Sequence, residues 1–486
     1  MDRSVLPVSA FIDPNGANLA AVTALAQRVL TLALDDASHA ERRPPLPVGV
    51  ASAAIPTLPE CPGDERAILD ELATLIAGCL NPAHPGCLAH MDPPPTVMSI
   101  LGDLVAAVVN NNLLSLEMAP SFSRLEQELL HTFGRFFGLG DESGGVLVSG
   151  GSMANLHALA LARNVAFNAR EQGIVGLERR PVVLASKLAH TSIHKAAMML
   201  GLGTNAVVEI EVDEHQRLDP DDLEHRLREC RQRGQAPFCV VATAGTTVTG
   251  SIDPLPLVAD IAQREGLWFH VDAAYGGALQ FSDRRRSELA GIERADSLTF
   301  NPQKWLCVTK TSAMVLFRRY RQLDSHFRIG APYMADAGEF TNLGEISVQG
   351  TRHPDVLKLW LSLRHIGRTG YEQLVDEACR LAGRLAEQLA ALPFVQLAAP
   401  TPDTSIVCFR GTPDWLPPGE WDAWNARLQQ HLLQHEQLFL SLPVHAGGRW
   451  LKAVILNPYF DDAHVQRLIA SIEQFAEATG PLKSTR

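Results

Sequence analysis

At 486 residues the chain is long enough for two or three domains, and 46% hydrophobic against 20% charged residues is the balance of a soluble globular protein with a large core. A formal net charge of −12 disfavours nucleic acid and anionic membranes as partners, and no uncharged apolar stretch reaches the roughly 18 residues that a bilayer-spanning helix needs. The opening MDRSVLPVSAFIDPNG is too broken by Asp and Pro for a secretory signal, and the eight scattered cysteines form neither a CxxC pair nor a zinc-spaced cluster with histidine, so no metal and a reducing cytoplasm are expected.

Leu19, Val22, Leu25, Val29 and Leu32 recur at steps of three and four, which predicts a helix over 17–35. The stretch from Pro44 to Pro62 reads as an extended linker or arm. Ile68, Leu69, Leu72, Leu75, Ile76 and Cys79 share one face of a helix over 65–80, and helical patterns continue over 95–111 and 121–138. The rhythm then changes. Short apolar runs at Val146–Ser149, Pro181–Ala185, Val207–Val212, Phe238–Ala242, Leu267–Val271, Ser297–Phe300 and Ala313–Phe317 read as strands. Helices are expected between them at 153–171, 190–201, 219–233, 254–265 and 284–290. This alternation predicts an α/β domain with a mainly parallel seven-stranded sheet, whose ligand sits beyond the carboxyl ends of the strands. After about 354 come two helical stretches, LKLWLSLRHIG and YEQLVDEACRLAGRLAEQLAAL, then strands near 404–410 and 450–456 and a last helix over 461–478. The expected division is a helical arm (1–90), a large domain (91–360) and a smaller α+β C-terminal domain (361–486).

Several polar motifs fall just after those strands. Ser149-Gly150-Gly151-Ser152 lies between a strand and a helix, where glycine backbone N–H groups, the helix dipole and the Ser152 hydroxyl suit a phosphate. Alone, SGGS is more simply a strand-to-helix turn. Asp272 ends an apolar strand in HVDAAYGG, where a carboxylate needs a partner. A protonated pyridine nitrogen is one, and the small Ala274 leaves room for a flat ring; a helix cap or a metal ligand would fit Asp272 equally. Lys304, in NPQKW, follows another strand, and a lysine in a dry site becomes a nucleophile towards aldehydes. His190 opens a helix in LAHTS and can stack on a ring or merely cap the helix. Thr246, in TAGTT, either touches a ligand or stabilises its turn. What distinguishes these residues is their order: phosphate loop, Asp, then Lys, each at a strand end.

The set SGGS, LAHTS, TAGTT, HVDAAYGG and NPQKW resembles the group II decarboxylases that depend on pyridoxal 5′-phosphate, which include aromatic amino-acid, glutamate, cysteine-sulfinate and diaminobutyrate decarboxylases. The likeness runs from about residue 65 to 478. It implies the fold type I, aspartate-aminotransferase-like fold and a homodimer with active sites at the subunit interface. By motif match, Lys304 is similar to the Schiff-base lysine, Asp272 to the pyridine-nitrogen partner and His190 to the ring-stacking histidine. Gly151, Ser152 and Asn301 match the phosphate-binding positions, and Thr246 and Ala274 lie near the ring. Tyr333, in FRIGAPYM, matches the loop tyrosine that reprotonates the α-carbon, and Gly338 and Gly344 would help that loop move.

Substrate choice reads less directly. The positions that carry aromatic side chains in the aromatic-specific branch match His90, Met91 and, from the partner subunit, Leu114. The stretch LLSLEMAP is closer to the glutamate and cysteine-sulfinate branch. That branch's carboxylate-binding arginine matches Lys452, which keeps the charge but loses the bidentate fork. A second departure is Gln303, where many members have His. The expectation is an L-amino-acid α-decarboxylase for a small polar or acidic substrate. Alternatives are an aliphatic or aromatic substrate, an aminotransferase, lyase or decarboxylase-oxidase on the same fold, and a silent scaffold paralogue.

Overall fold

Seven short strands, all but the edge strand β3 buried along most of their length, set the architecture: β1 (Gly144–Val148), β2 (Pro181–Ser186), β3 (Val207–Ile210), β4 (Ala236–Thr243), β5 (Trp268–Asp272), β6 (Ser297–Phe300) and β7 (Ala313–Phe317). The computed structural model describes residues 6–47, 58–330, 332, 338 and 340–481. The strands form one sheet in the order β1-β7-β6-β5-β4-β2-β3. Only β7 runs against the others, since it pairs antiparallel with both β1 and β6, while β2 with β3, β2 with β4, β4 with β5 and β5 with β6 are parallel. The carboxyl ends of β1, β2, β3, β4, β5 and β6 therefore share one edge.

Alternation along the strands builds a core on each face. Leu147, Leu184, Val240, Phe269, Leu298 and Met314 pack into one cluster, and Val146, Val183, Cys239, Trp268 and Val315 into the other. A sheet buried on both sides needs apolar residues at every position, which is why these strands read as continuous runs. At the β1–β7 pair a Cβ on Gly145 would lie 2.0 Å from the Val315 carbonyl oxygen, so only glycine lets the two backbones meet.

The helices in chain order are α1 (Leu19–Ser38), α2 (Glu65–Ala77), α3 (Val97–Val109), α4 (Pro120–Phe136), α5 (Gly151–Phe167), α6 (Ala169–Gln172), α7 (Ser192–Met199), α8 (Pro220–Gln232), α9 (Leu255–Glu265), α10 (Arg321–His326), α11 (Val356–Ala390), α12 (Trp421–Glu436) and α13 (Asp462–Thr479). A second sheet, antiparallel in the order β12-β9-β8, comprises β8 (Val395–Leu397), β9 (Ile406–Gly411) and β12 (Leu451–Val454), with a hairpin of β10 (Val444–His445) and β11 (Gly448–Arg449) beside it.

The seven expected strands all form, with small shifts at their ends. The helices differ more. The helix expected over 153–171 starts at Gly151 and stops at Phe167, because Asn168 takes a left-handed conformation with φ of 50°. The one expected over 284–290 is a 3-10 turn at Arg286–Leu289. The two stretches after 354 run as one segment broken at Gly367, whose φ of 70° and ψ of 170° are not helical. Helix α12 and strands β8, β10 and β11 were not expected; the strands are only two or three residues long and carry little periodicity. Much of the Pro44–Pro62 arm (48–57) lies outside the described residues.

A buried ion pair ties the segment before α11 to the sheet. Arg352 and Glu126 are 5% and 0% exposed. The guanidinium donates to the Glu126 carboxylate and, at 2.8 Å, to the Leu147 carbonyl, while the Leu147 N–H donates to Glu126 at 2.9 Å. Burial raises the Glu126 pKa and the Arg352 charge opposes it. Removing one partner strands the other in a dry site, so Arg352→Met should cost ~3–5 kcal/mol of stability. Urea unfolding against the native chain measures it, and a change within ~0.5 kcal/mol would show that the pair contributes little.

Candidate active site

The strand-end motifs assemble along the shared carboxyl edge of the sheet. At the end of β1, Gly150 has φ of +118°, a conformation side chains rarely adopt, and turns the chain into α5. A Cβ on Gly151 would lie 2.8 Å from the Asn301 side-chain amide. Asn301, at the end of β6, is 3% exposed, and its amide fits with the nitrogen towards the Phe300 carbonyl and the oxygen towards the Gly151 N–H, each at 3.3 Å. The exposed Ser152 lies in the first turn of α5. This is a built anion cradle: a helix N-terminus, glycine backbone and a free hydroxyl.

Asp272 ends β5 and is 5% exposed. One carboxylate oxygen accepts from the Ala274 N–H at 3.1 Å, and the other from Asn155 Nδ2 at 2.8 Å. The Ala274 bond holds the chain in the tight turn that follows the strand. His190 precedes α7, with Nδ1 2.8 Å from the Ser192 hydroxyl and accepting from the Ser192 N–H at 3.2 Å. Partial desolvation of its ring lowers its pKa, and the Asp272 charge acts the other way.

Lys304 sits in the turn after β6, its N–H bonded to the Asn301 carbonyl at 3.0 Å. The next residue, Trp305, stacks on Tyr275 with ring centroids 4.8 Å apart, and Tyr275 bonds Ser405 at 2.5 Å, so the turn is braced against β5 and the second sheet. Burial lowers the Lys304 pKa, opposed first by Asp272 and then by Asp92. Lys304, Asp272 and His190 are thus within electrostatic reach of one another. Thr246 is fully buried at the end of the β4 segment, and its hydroxyl bonds Thr249 at 2.7 Å and the Ser251 N–H at 3.1 Å, within its own turn.

A second group lies on the side of Lys304. Lys452, on β12 and 6% exposed, donates to the Thr247 carbonyl at 3.2 Å. Burial lowers its pKa to about 8, with Lys304 pushing the same way and Cys408 and Asp92 opposing. His90 packs edge-on against Phe439 at 5.8 Å, and burial and the Lys452 charge lower its pKa. Met91 packs against the main core cluster. Leu114 lies elsewhere on this chain, against the segment after the lysine: its carbonyl accepts from the Gly344 N–H at 2.9 Å. Tyr333 lies outside the described residues.

Sequence reasoning missed Asn155, His270, Ser192, Thr299 and Asp92. Asn155 stands in an otherwise apolar helix stretch and His270 in an apolar strand; both are fully buried and polar. That mismatch was the available signal.

A glycine-built anion cradle, a recessed carboxylate for a ring nitrogen and a desolvated lysine fit pyridoxal 5′-phosphate, and with the largely parallel sheet they define a pyridoxal-phosphate enzyme of fold type I. The chain belongs to the pyridoxal-dependent decarboxylase family, whose conserved domain matches residues 51–412. It is 32% identical to the cysteine sulfinic acid decarboxylase of Mus musculus over 428 residues, 85% of this chain and 86% of the relative. It is 30% identical to the L-2,4-diaminobutyrate decarboxylase of Acinetobacter baumannii over 433 residues, 85% and 84% of the two chains. A crystal structure of mouse CSAD superposes with a TM-score of 0.86 at 28% identity, covering 94% of this chain and 99% of that one. The chain is a pyridoxal-phosphate-dependent carboxy-lyase that decarboxylates an amino acid.

Proposed function

We propose that Lys304 carries the cofactor, that Asp272 pairs with its ring nitrogen, that His190 covers its ring, and that Gly151, Ser152 and Asn301 hold its phosphate. Ala274 and Thr246 complete the wall. The observation that carries this reading is the convergence of Lys304, Asp272 and His190 at three strand ends within reach of one another's charges. Pyridoxal phosphate, when bound, supplies an electron sink for the carbon that loses CO2. The protein's part is to hold charge and protons. The Asp272 carboxylate keeps a proton on the facing nitrogen. Burial lowers the Lys304 pKa, which favours the nucleophilic amine. Tyr333 is assigned, from its place in the sequence, to return a proton to the α-carbon. Borohydride reduction followed by peptide mapping should fix the cofactor on Lys304, and label on any other lysine would remove that assignment.

The substrate proposed is a small amino acid with an acidic or polar side chain, read by Lys452 with His90 and Met91 beside it. The relatives' names point both ways, to cysteine sulfinate and to diaminobutyrate. Lys452 favours the acid, because its ammonium would repel a second ammonium. Asp92, the nearby carboxylate, is already paired with Lys310 at 2.6 Å. An assay of CO2 release across the common amino acids should rank acidic side chains above cationic ones; the reverse ranking would reject this role for Lys452. The pH dependence has a definite sign. With a pKa of about 8, Lys452 is cationic below that value and neutral above it. KM for an acidic substrate should rise as the pH passes through about 8, and the step should vanish in Lys452→Met, whose KM at pH 7 should be higher by on the order of 10-fold.

We also propose a homodimer in the cytoplasm, with residues 1–90 as an arm over the partner, 91–360 as the cofactor domain and 361–486 as the smaller domain. In support, α3 exposes Leu101, Leu104, Val105 and Val108, and α1 exposes Leu19, Val29, Leu30 and Leu34. Exposed apolar stripes of this kind mark an association surface. Leu114, next to this region, is the residue proposed to reach the partner's pocket. Sedimentation should give a dimer, and a stable active monomer would refute the shared site.

A further inference from the structure

Asn155 is 1% exposed and makes four side-chain hydrogen bonds. Its Nδ2 donates to Asp272 at 2.8 Å and to the Ser192 hydroxyl at 2.9 Å. Its Oδ1 faces Thr299 Oγ1 at 2.7 Å and His270 Nε2 at 3.0 Å. The reverse amide orientation would set an oxygen against the Asp272 carboxylate, so this one is fixed. An amide oxygen only accepts, so His270 carries a proton on Nε2. Burial lowers the His270 pKa to about 4, against the pull of Asp272 and of the Ser297 backbone; with the one proton of a neutral ring on Nε2, Nδ1 is the acceptor. Nδ1 lies 2.8 Å from the Ser297 hydroxyl, which must donate to it; that hydroxyl in turn accepts from the Trp268 indole N–H, also at 2.8 Å. Every bond in the chain Trp268, Ser297, His270, Asn155, Asp272 therefore points its hydrogen the same way, towards the carboxylate. On its other arm, Asn155 occupies a Ser192 lone pair and leaves that hydroxyl's proton for His190 Nδ1.

We infer that Asn155 is a positioning residue that couples the two sides of the cofactor site: it terminates a one-directional hydrogen-bond relay on the Asp272 carboxylate, fixing its orientation towards the ring nitrogen, and it sets His190 with its proton on Nε2. This rests on Asp272 being the partner of the ring nitrogen. Aligned bonds polarise one another in a dry interior, so the last donor should bind the carboxylate more strongly than an isolated amide would.

A double-mutant cycle on the full-length holoenzyme tests it. Asn155→Ala should weaken cofactor retention, measured by equilibrium dialysis, and lower kcat, each on the order of 10- to 100-fold, with KM changed by less than about threefold. In the Asp272→Asn background the same substitution should add almost nothing. Additive losses would overturn the relay. Normal cofactor binding and kcat in Asp272→Asn alone would instead reject the Asp272 assignment and the inference with it. Ser297→Ala, farther out and gentler on folding, should give a smaller loss that also disappears beside Asp272→Asn. Nitrogen-15 spectra of histidine-labelled apoprotein, assigned through His270→Gln, should show Nε2 protonated and Nδ1 bare; the opposite tautomer would overturn the direction of the relay.

Discussion

The site depends on a single electrostatic problem: a carboxylate at the end of a central strand, in a sheet buried on both faces. A lone charge there would be neutralised by taking up a proton. Asp272 accepts from the Ala274 N–H and from Asn155, bonds that replace part of the water it has lost. Those bonds leave room for a cationic partner from the open side. Much of the surrounding sequence serves this arrangement: Asn155 within α5, His270 and Thr299 on β5 and β6, and Ser192 at the start of α7. Four separate elements are cross-linked behind one carboxylate.

Chain direction does the rest. With only β7 reversed, six strands end at one edge, so residues from 149 to 304 meet there without long excursions. Each functional side chain sits on the first turn beyond a rigid strand or at the start of a helix. The glycine conformation at Gly150 and the close approach of Gly151 to Asn301 then bring backbone N–H groups to the surface of a helix N-terminus. Backbone donors held this way need no reorganisation to receive an anion.

Continuous apolar runs made the sheet legible in the sequence, because a strand covered on both faces leaves no polar alternation to misread. The placement of Lys304, Asp272, His190 and Gly151 at strand and helix ends was legible as well, since residues directly before or after such runs stand out. The polar network behind them was not. Asn155 lies among Met153, Ala154, Leu156 and Leu159 in α5 and reads as one tolerated polar residue in a core helix. Its partners come from residues 190 to 299, and no local pattern reveals that they converge. The second sheet was only partly legible, because β8, β10 and β11 are too short for periodicity to register. Helix ends shifted where a single backbone conformation decided them, as at Asn168 and Gly367.

The substrate side follows a different physical logic. The cofactor edge is built from one continuous stretch of sheet, whereas His90, Lys452 and Lys304 come from three distant parts of the chain. Burial lowers the Lys452 pKa, and the charge of Lys304 lowers it further. Lys304 needs a neutral amine to act as a nucleophile. Lys452, bonded to the Thr247 carbonyl, has an acceptor that favours its charged form. Occupation of Lys452 by an acidic side chain would strengthen that preference. A neutral substrate side chain would instead leave that ammonium without a counter-charge in a dry site.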